Sequence, residues 1–357
     1  MTIQQLLKTA PVTTLLLASF IGLFVMQLVT GVDANNPSTE ALVKWGANAL
    51  PLTMMDDPWR LASSAFLHIG LMHLLFNGFA MYFFGQIAEP MFGSAKFLAL
   101  FLLAAIGGNL LNNYVTWQSI IEGTGQPGLS AGASGGIMGI GAALLIAALF
   151  KISVNGMVLN LKSLIIIMAI NLVYGFAVPG IDNAGHIGGA ITGLVIALAF
   201  AIGYRQRLAV AIQNAAIQQQ RTLNAYQTKY SYSAHDNIPY DSQYSGQYRE
   251  RHDNQSPYNA TPIEQSPYLN SDSTEQDTVV ANNETNTADI YAESVTANNS
   301  PLNNGTVHNS IEPEALKKPS IIWQLLPWLA MLLISIGFVW WWQDIHQQLL
   351  QVLKAIE

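Results

Sequence analysis

The chain has 357 residues, 51% of them hydrophobic and only 10% charged, where a soluble domain carries about a quarter charged residues. It has a net charge of −7 and no cysteine. These values exclude an ordinary soluble globular protein, argue against a nucleic-acid binder with its basic patch, and exclude disulfides, thiolate metal sites and a cysteine nucleophile.

In chain order, apolar stretches close to the ~20 residues that cross a bilayer as a helix lie at about 11–30, 70–89, 96–115, 133–150, 163–179, 185–204 and 321–342. The first has Lys8 before it, as a signal peptide would. No convincing small-x-small cleavage site follows, and further spans do, so it is read as a span. After the sixth stretch the composition changes. Residues 205–224 are rich in Ala, Gln and Ile and are a candidate helical extension. Residues 225–319 are expected to form a disordered polar linker, because 13 of the 22 acids fall between Arg205 and Ser320 and apolar runs are absent. Such a segment cannot bury enough surface to offset the entropy of ordering. Residues 320–343 are read as a seventh span and 344–357 as a short outer tail. Trp340, Trp341 and Trp342 end that span like an interfacial aromatic belt.

Lys and Arg collect on the cytoplasmic side of membrane proteins. With the intervals numbered alternately, Lys8, Lys96, Lys151, Lys162, Arg205, Arg207, Lys317 and Lys318 share one side, and Lys44, Arg60 and Lys354 the other. The N-terminus and the linker are thus expected inside. Spans two, four and six then enter from the outer side, and their first turns carry His73 and Asn77, Ser134, and His186. Ser134 lies 17 residues before Lys151, His186 lies 19 before Arg205, and His73 lies 16 before Glu89. At ~1.5 Å per residue these are roughly 25, 28 and 24 Å, in a hydrocarbon core ~30 Å thick. The polar groups therefore share one depth just below the outer surface. Gly135 and Gly139, like Gly185, Gly189 and Gly193, stand four apart, the spacing that lets two membrane helices approach closely.

Each residue has a plainer reading as well. Gly and Ser in a membrane helix usually just pack helices, and Asn77 can hydrogen-bond a neighbouring helix. His68 and His73 are five apart and share no helix face, unlike an i,i+4 pair, so no metal or other cofactor is expected. Glu89 is read as structural, paired with a cation. Asp182 is a candidate acid for orienting His186, and more simply a loop residue. The coincidence of depth favours a site. A serine needs a base to take its proton, and histidine is the commonest one. His73, Asn77 and the free N–H of Ser134 at its helix start can donate to an oxyanion.

These residues resemble the rhomboid intramembrane serine proteases, from about Leu15 to Tyr204. The likeness rests on Trp45-Gly46-Ala47-Asn48, Trp59-Arg60, His68…His73…Asn77, Glu89…Gly93, Gly132-Ala133-Ser134-Gly135 and Asn183-Ala184-Gly185-His186-Ile187-Gly188-Gly189. The resemblance implies an all-α polytopic membrane protein. Residues 1–204 would be a rhomboid-like bundle of six transmembrane helices, followed by the linker and the additional C-terminal transmembrane helix. It implies Ser134 as nucleophile, His186 as base, His73 and Asn77 as oxyanion support, and Gly135 and Gly139 packing against Gly189 and Gly193. The loop around Phe176–Asn183 would cap the site. Substrates would be transmembrane segments of other proteins, cut near the outer face within the lipid bilayer of a bacterial-type inner membrane. Met138 stands where some members place a tyrosine on the catalytic histidine. The alternatives are a catalytically silent relative that binds transmembrane helices, and a channel or transporter, whose site would usually lie at the midplane.

Overall fold

The computed structural model describes residues 3–33, 35–126, 128–153, 159–177, 181–235 and 315–356. Met1–Gln220 together with Ala315–Glu357 form one compact unit, distinct from Arg221–Glu314. Among the described residues the first unit is built from helices α1 (Ile3–Thr9), α2 (Pro11–Val29), α3 (Thr39–Lys44), α4 (Leu50–Met55), α5 (Arg60–Ser63), α6 (Leu71–Phe92), α7 (Ser94–Ile121), α8 (Ser134–Leu149), α9 (Leu161–Ala177), α10 (starting at Asn183) and α11 (Ile322–Ile356). Two short strands, β1 (Asn48–Ala49) and β2 (Leu129–Ser130), pair antiparallel with Asn48 opposite Ser130.

Among the described residues, five helices are long and apolar enough to cross a membrane: α2, α6, α7, α10 and α11. The apolar helices α8 and α9, with 16 and 17 residues, are shorter. The protein is an integral membrane protein of helical-bundle type. Its core is made by α2, α6, α7, α8 and α10, with Phe20, Met81, Phe97, Phe101, Ile140, Leu144 and Ile196 almost wholly buried. Large apolar side chains such as Val25, Phe79, Phe83, Ile170 and Leu333 stay exposed. In a bilayer that outer surface meets hydrocarbon, and helices are one of the two structures that satisfy every backbone group there.

The two ends of the bundle are tied differently. At one end α6 turns into α7 through Gly93 alone, whose φ of +84° favours a residue without a Cβ. Beside that turn Glu89 is 1% exposed. Its carboxyl accepts from the N–H groups of Val12 (2.9 Å) and Thr13 (2.7 Å) and from the hydroxyls of Thr13 (2.8 Å) and Ser94 (2.6 Å). Pro11 opens α2, so Val12 and Thr13 are among the first-turn donors that lack an intrahelical partner. Glu89 thus caps α2 from another helix. Among the described residues no cation pairs with it, and the positive end of a helix takes that place.

At the other end, the segment between α2 and α6 is fastened to α7. Asn109 donates to Leu61 O and Ser64 Oγ, both at 2.8 Å, and Asn113 donates to Asn48 Oδ1 at 2.9 Å. Arg60 is buried, donates to the carbonyls of Val43 (2.6 Å) and Ala47 (3.3 Å), and pairs with Asp57 at 3.0 Å. Ser64 O in turn accepts from Gly132 N–H at 2.9 Å, which fixes the approach to α8.

Two boundaries differ from those read in the sequence. α10 does not stop near 224 but runs to His235, because Arg221–His235 contains neither Gly nor Pro to end it. Of the rest of the expected linker, residues 236–314 lie outside the described residues. The outer tail is helical to Ile356. Its Ile345 and Leu349 are buried with Leu50, Met54 and Trp117, against α4 and α7. Trp342 Nε1 donates to Thr53 O at 2.9 Å, and Trp117 Nε1 donates to Gln348 Oε1 at 2.9 Å. Of the three tryptophans, only Trp340 is exposed; Trp341 lies against Tyr114.

Replacing Glu89 with Ala leaves two buried N–H groups and two hydroxyls without their acceptor. A loss of roughly 2–4 kcal/mol is expected, read as a lower apparent Tm in detergent. Ser94→Ala, which removes one donor, should cost about 1 kcal/mol.

Candidate active site

Ser134 is the first residue of α8, after Ala133. The first intrahelical bond runs from Ile137 N–H to Ala133 O. The N–H groups of Ser134, Gly135 and Gly136 precede it and have no partner within the helix. Ser134 is half-buried.

His186 lies in the first turn of α10, also half-buried. Asp182 caps that helix. Its Oδ1 accepts from Gly185 N–H at 2.6 Å, its backbone carbonyl accepts from His186 N–H at 3.1 Å, and its Oδ2 accepts from Ser130 Oγ at 2.6 Å. The two carboxylate oxygens are thus spent on the helix start and on β2. Asp182 makes no hydrogen bond to the imidazole, and His186 Nδ1 is buried without a hydrogen-bond partner among the described residues. Capping is what an Asp just ahead of a helix does best, and the role was readable from its place before Asn183.

The two helix starts meet through glycine. A Cβ on Gly189 would strike Gly135 O, and one on Gly193 would strike Gly139 O. Gly185 O lies 3.3 Å from where a Gly135 Cβ would stand. Gly135 with Gly189 and Gly139 with Gly193 step along both helices in the same sense, so α8 and α10 run parallel in backbone contact. The sequence reading anticipated these four glycines but not a second contact. A Cβ on Gly188 would meet Gly107 O at 2.7 Å and Gly108 Cα at 3.0 Å, so α10 is close to α7 as well.

His73, in the first turn of α6, reaches the same place. A Cβ on Gly132 would stand 2.7 Å from His73 Cε1, 2.9 Å from His73 Nε2 and 3.8 Å from Ser134 Oγ. Gly132 also has φ +145°, which excludes most side chains. His73 Nδ1 accepts from Ile69 N–H at 3.3 Å. That bond assigns the proton to Nε2, the nitrogen on the Ser134 side. Asn77 is buried, and its amide donates to His73 O at 2.9 Å. His68 is 2% exposed; its ring packs on Phe20 (5.1 Å) and edge-on against His73 (5.4 Å). Met138, one turn after Ser134, is buried. Residues 178–180 of the loop expected to cap the site lie outside the described residues.

Ser134, His73, Asn77 and His186 are therefore brought to one end of the bundle by α8, α6 and α10. Among the described residues Ser134 and His186 share no hydrogen bond, and no cluster of three His, Asp or Glu side chains gathers as metal ligands would. The fold and this end of it describe a polytopic helical membrane protein with a serine hydroxyl, imidazoles and helix-start N–H groups gathered at one end.

Comparison with known proteins agrees. Residues 56–202 match the family model of the Rhomboid domain. The chain is 40% identical over 184 residues to the rhomboid protease GluP of Bacillus subtilis, covering 51% of this chain and 34% of that protein. It is 35% identical over 175 residues to the rhomboid protease AarA of Providencia stuartii, covering 44% and 62%. RHOMBOID-like protein 1 of Arabidopsis thaliana is 32% identical over 189 residues, covering 52% and 46%. The matches thus span between a third and five-eighths of these relatives' own length. Over this region the chain is similar to the rhomboid family.

A methyl group at Gly189 or Gly193 would meet backbone rather than a side chain that can swing away. Gly193→Ala is expected to cost ~1–3 kcal/mol or more by overpacking, seen as a lower Tm in detergent. Gly22→Ala, where a Cβ meets nothing within 4 Å, should leave Tm unchanged.

Proposed function

We propose that this protein is an intramembrane serine endopeptidase. The observation that carries the reading is the meeting of three helix starts, which gathers Ser134, His186, His73 and Asn77 at one end of a lipid-embedded bundle. The naming of its relatives GluP and AarA as rhomboid proteases supports it.

In this reading Ser134 Oγ attacks the carbonyl carbon of a scissile peptide bond while His186 takes the hydroxyl proton. The carbonyl oxygen becomes an oxyanion. His73 Nε2–H, the Asn77 amide and the Ser134 N–H are the donors that receive it. His186 returns the proton to the leaving amine, and water entering from the nearby surface repeats the sequence on the acyl-enzyme. Asp182 serves the helix start, so the catalytic pair is a dyad. The short connection of His73 to Ile69 N–H keeps its donor nitrogen aimed at the site without a carboxylate.

The substrates are transmembrane segments of other proteins. A peptide bond inside a helix is shielded by its own hydrogen bonds, which lipid cannot replace. Cleavage near the outer face, where water can take over those bonds, lowers that cost, and helix-weakening residues lower it further. The distribution of basic residues puts the N-terminus and the linker on the cytoplasmic side, as in a bacterial inner membrane.

Labelling with a fluorophosphonate in detergent tests the serine. Wild type should label and Ser134→Ala should not. Cleavage of a labelled transmembrane substrate should fall at least about a thousandfold in Ser134→Ala and His186→Ala. Asn77→Ala removes one donor of several and should cost about a hundredfold. Asp182→Ala should lower Tm through a lost cap worth ~1 kcal/mol while retaining cleavage. Undiminished cleavage by Ser134→Ala would overturn the mechanism; product formed by wild type but by no variant of the dyad supports it over mere helix binding.

A further inference from the structure

The end of the bundle opposite Ser134 holds a second polar assembly that the reaction does not use. α8 closes there with Lys151 N–H bonded to Ala148 O and Ile152 N–H to Ala147 O. This pattern puts the residue after the helix in the left-handed region, where glycine is the usual occupant. Here it is Lys151, with φ 50°. Arg205, from α10, holds its guanidinium 5.7 Å over the Phe150 ring. Leu149, Phe150, Lys151 and Arg205 line one cavity of about 270 Å³. Nearby, Lys96 lies 5.8 Å over the Phe200 ring and feels the like charge of Arg207.

Among the described residues no carboxylate pairs with these cations. Among the described residues the one ion pair is Arg60–Asp57, in the segment leading to the other end. Glu89, the one described carboxyl at the Lys151 end, is committed to the start of α2 and to Ser94. A cavity with two cations that pair with no described carboxylate, an aromatic floor and an apolar wall suits a phosphate that carries a greasy tail. Arginine and lysine supply the charge-assisted donors a phosphate accepts. Leu149 is both a wall of the cavity and 59% exposed, so an acyl chain leaving the cavity continues along the lipid-facing surface. A free phosphate ion has no use for that wall. Basic pockets between membrane helices on the cytoplasmic side are a recognised seat for anionic headgroups.

We propose that Lys151 and Arg205, over Phe150, bind the phosphate headgroup of an anionic phospholipid in the leaflet opposite the Ser134 site.

The full chain, purified in a mild detergent with phosphatidylglycerol added at fixed concentration, would be examined by native mass spectrometry for retained lipid. Wild type should retain phosphatidylglycerol, and Lys151→Gln with Arg205→Gln should bind it about thirtyfold more weakly, the effect of two cations near an anionic headgroup. Arg205→Lys, which keeps the charge, should retain it in part. Lys162→Gln, an exposed cation on the same side outside the cavity, should bind as wild type does. Both glutamine variants change exposed side chains, and an unchanged Tm without lipid verifies their fold. Equal retention by the double variant would overturn the site. An equal loss in Lys162→Gln would reduce it to diffuse surface charge and overturn it too. Displacement of the lipid by millimolar inorganic phosphate would identify a free phosphate as the ligand and overturn the lipid assignment.

Discussion

Everything at the Ser134 end depends on one contact: two helices touching backbone to backbone at Gly135 with Gly189 and at Gly139 with Gly193. Lipid is as apolar as a leucine side chain, so nothing squeezes membrane helices together as water does. Close van der Waals approach between small residues takes over that task. Ser134 and His186 each stand next to a glycine whose carbonyl or Cα position belongs to this contact. A slip of one residue along either helix would rotate the adjoining side chain by about 100° and place a carbonyl against a methyl group. The register of the packing and the register of the chemistry are therefore the same quantity.

Two carboxyls show how the same residue type serves opposite ends of the bundle. Glu89 reaches from α6 to the start of α2, and Asp182 caps α10 from directly ahead of it. Each answers the same demand, that first-turn N–H groups have partners. Their reach differs because their distance in sequence differs: Glu89 joins residues 76 and 77 positions away, whereas Asp182 serves a donor three positions on. The long-range cap ties the first span into the bundle. The short-range cap sets where the imidazole begins its helix and, through Ser130, anchors that start to the small sheet.

Much of this was legible in the sequence. The spans stood out because lipid permits almost no charge, and counting residues to the basic end put Ser134, His186 and His73 near the same end of their helices. The four packing glycines were legible because their spacing has a single geometric use. What was not legible required partners distant in the chain. Nothing near Glu89 in sequence announces the N–H groups of Val12 and Thr13, so a cation seemed the natural partner. Ala225–His235 is polar and looked like linker, yet its residues tolerate a helix already begun by α10. The last fourteen residues looked like a tail because Ile345 and Leu349 are too few to signal burial until α4 and α7 are seen to receive them.

The reciprocal pair between Asn214 and Lys317 gives that C-terminal helix a further meaning. Asn214 Nδ2 donates to Lys317 O at 2.8 Å, and Lys317 N–H donates to Asn214 Oδ1 at 2.9 Å. The chain that departs after α10 is thus fastened beside its own return. From there α11 is held by Met331 in the core, by a close approach of Trp323 O to Gly203, and by Trp342 on Thr53. None of these holds runs through residues 236–314. Scission anywhere among them would leave two polypeptides still joined by side-chain and backbone contacts along the length of a membrane helix. Among the described residues, α11 is thus held to the bundle by contacts that do not depend on the covalent thread after α10.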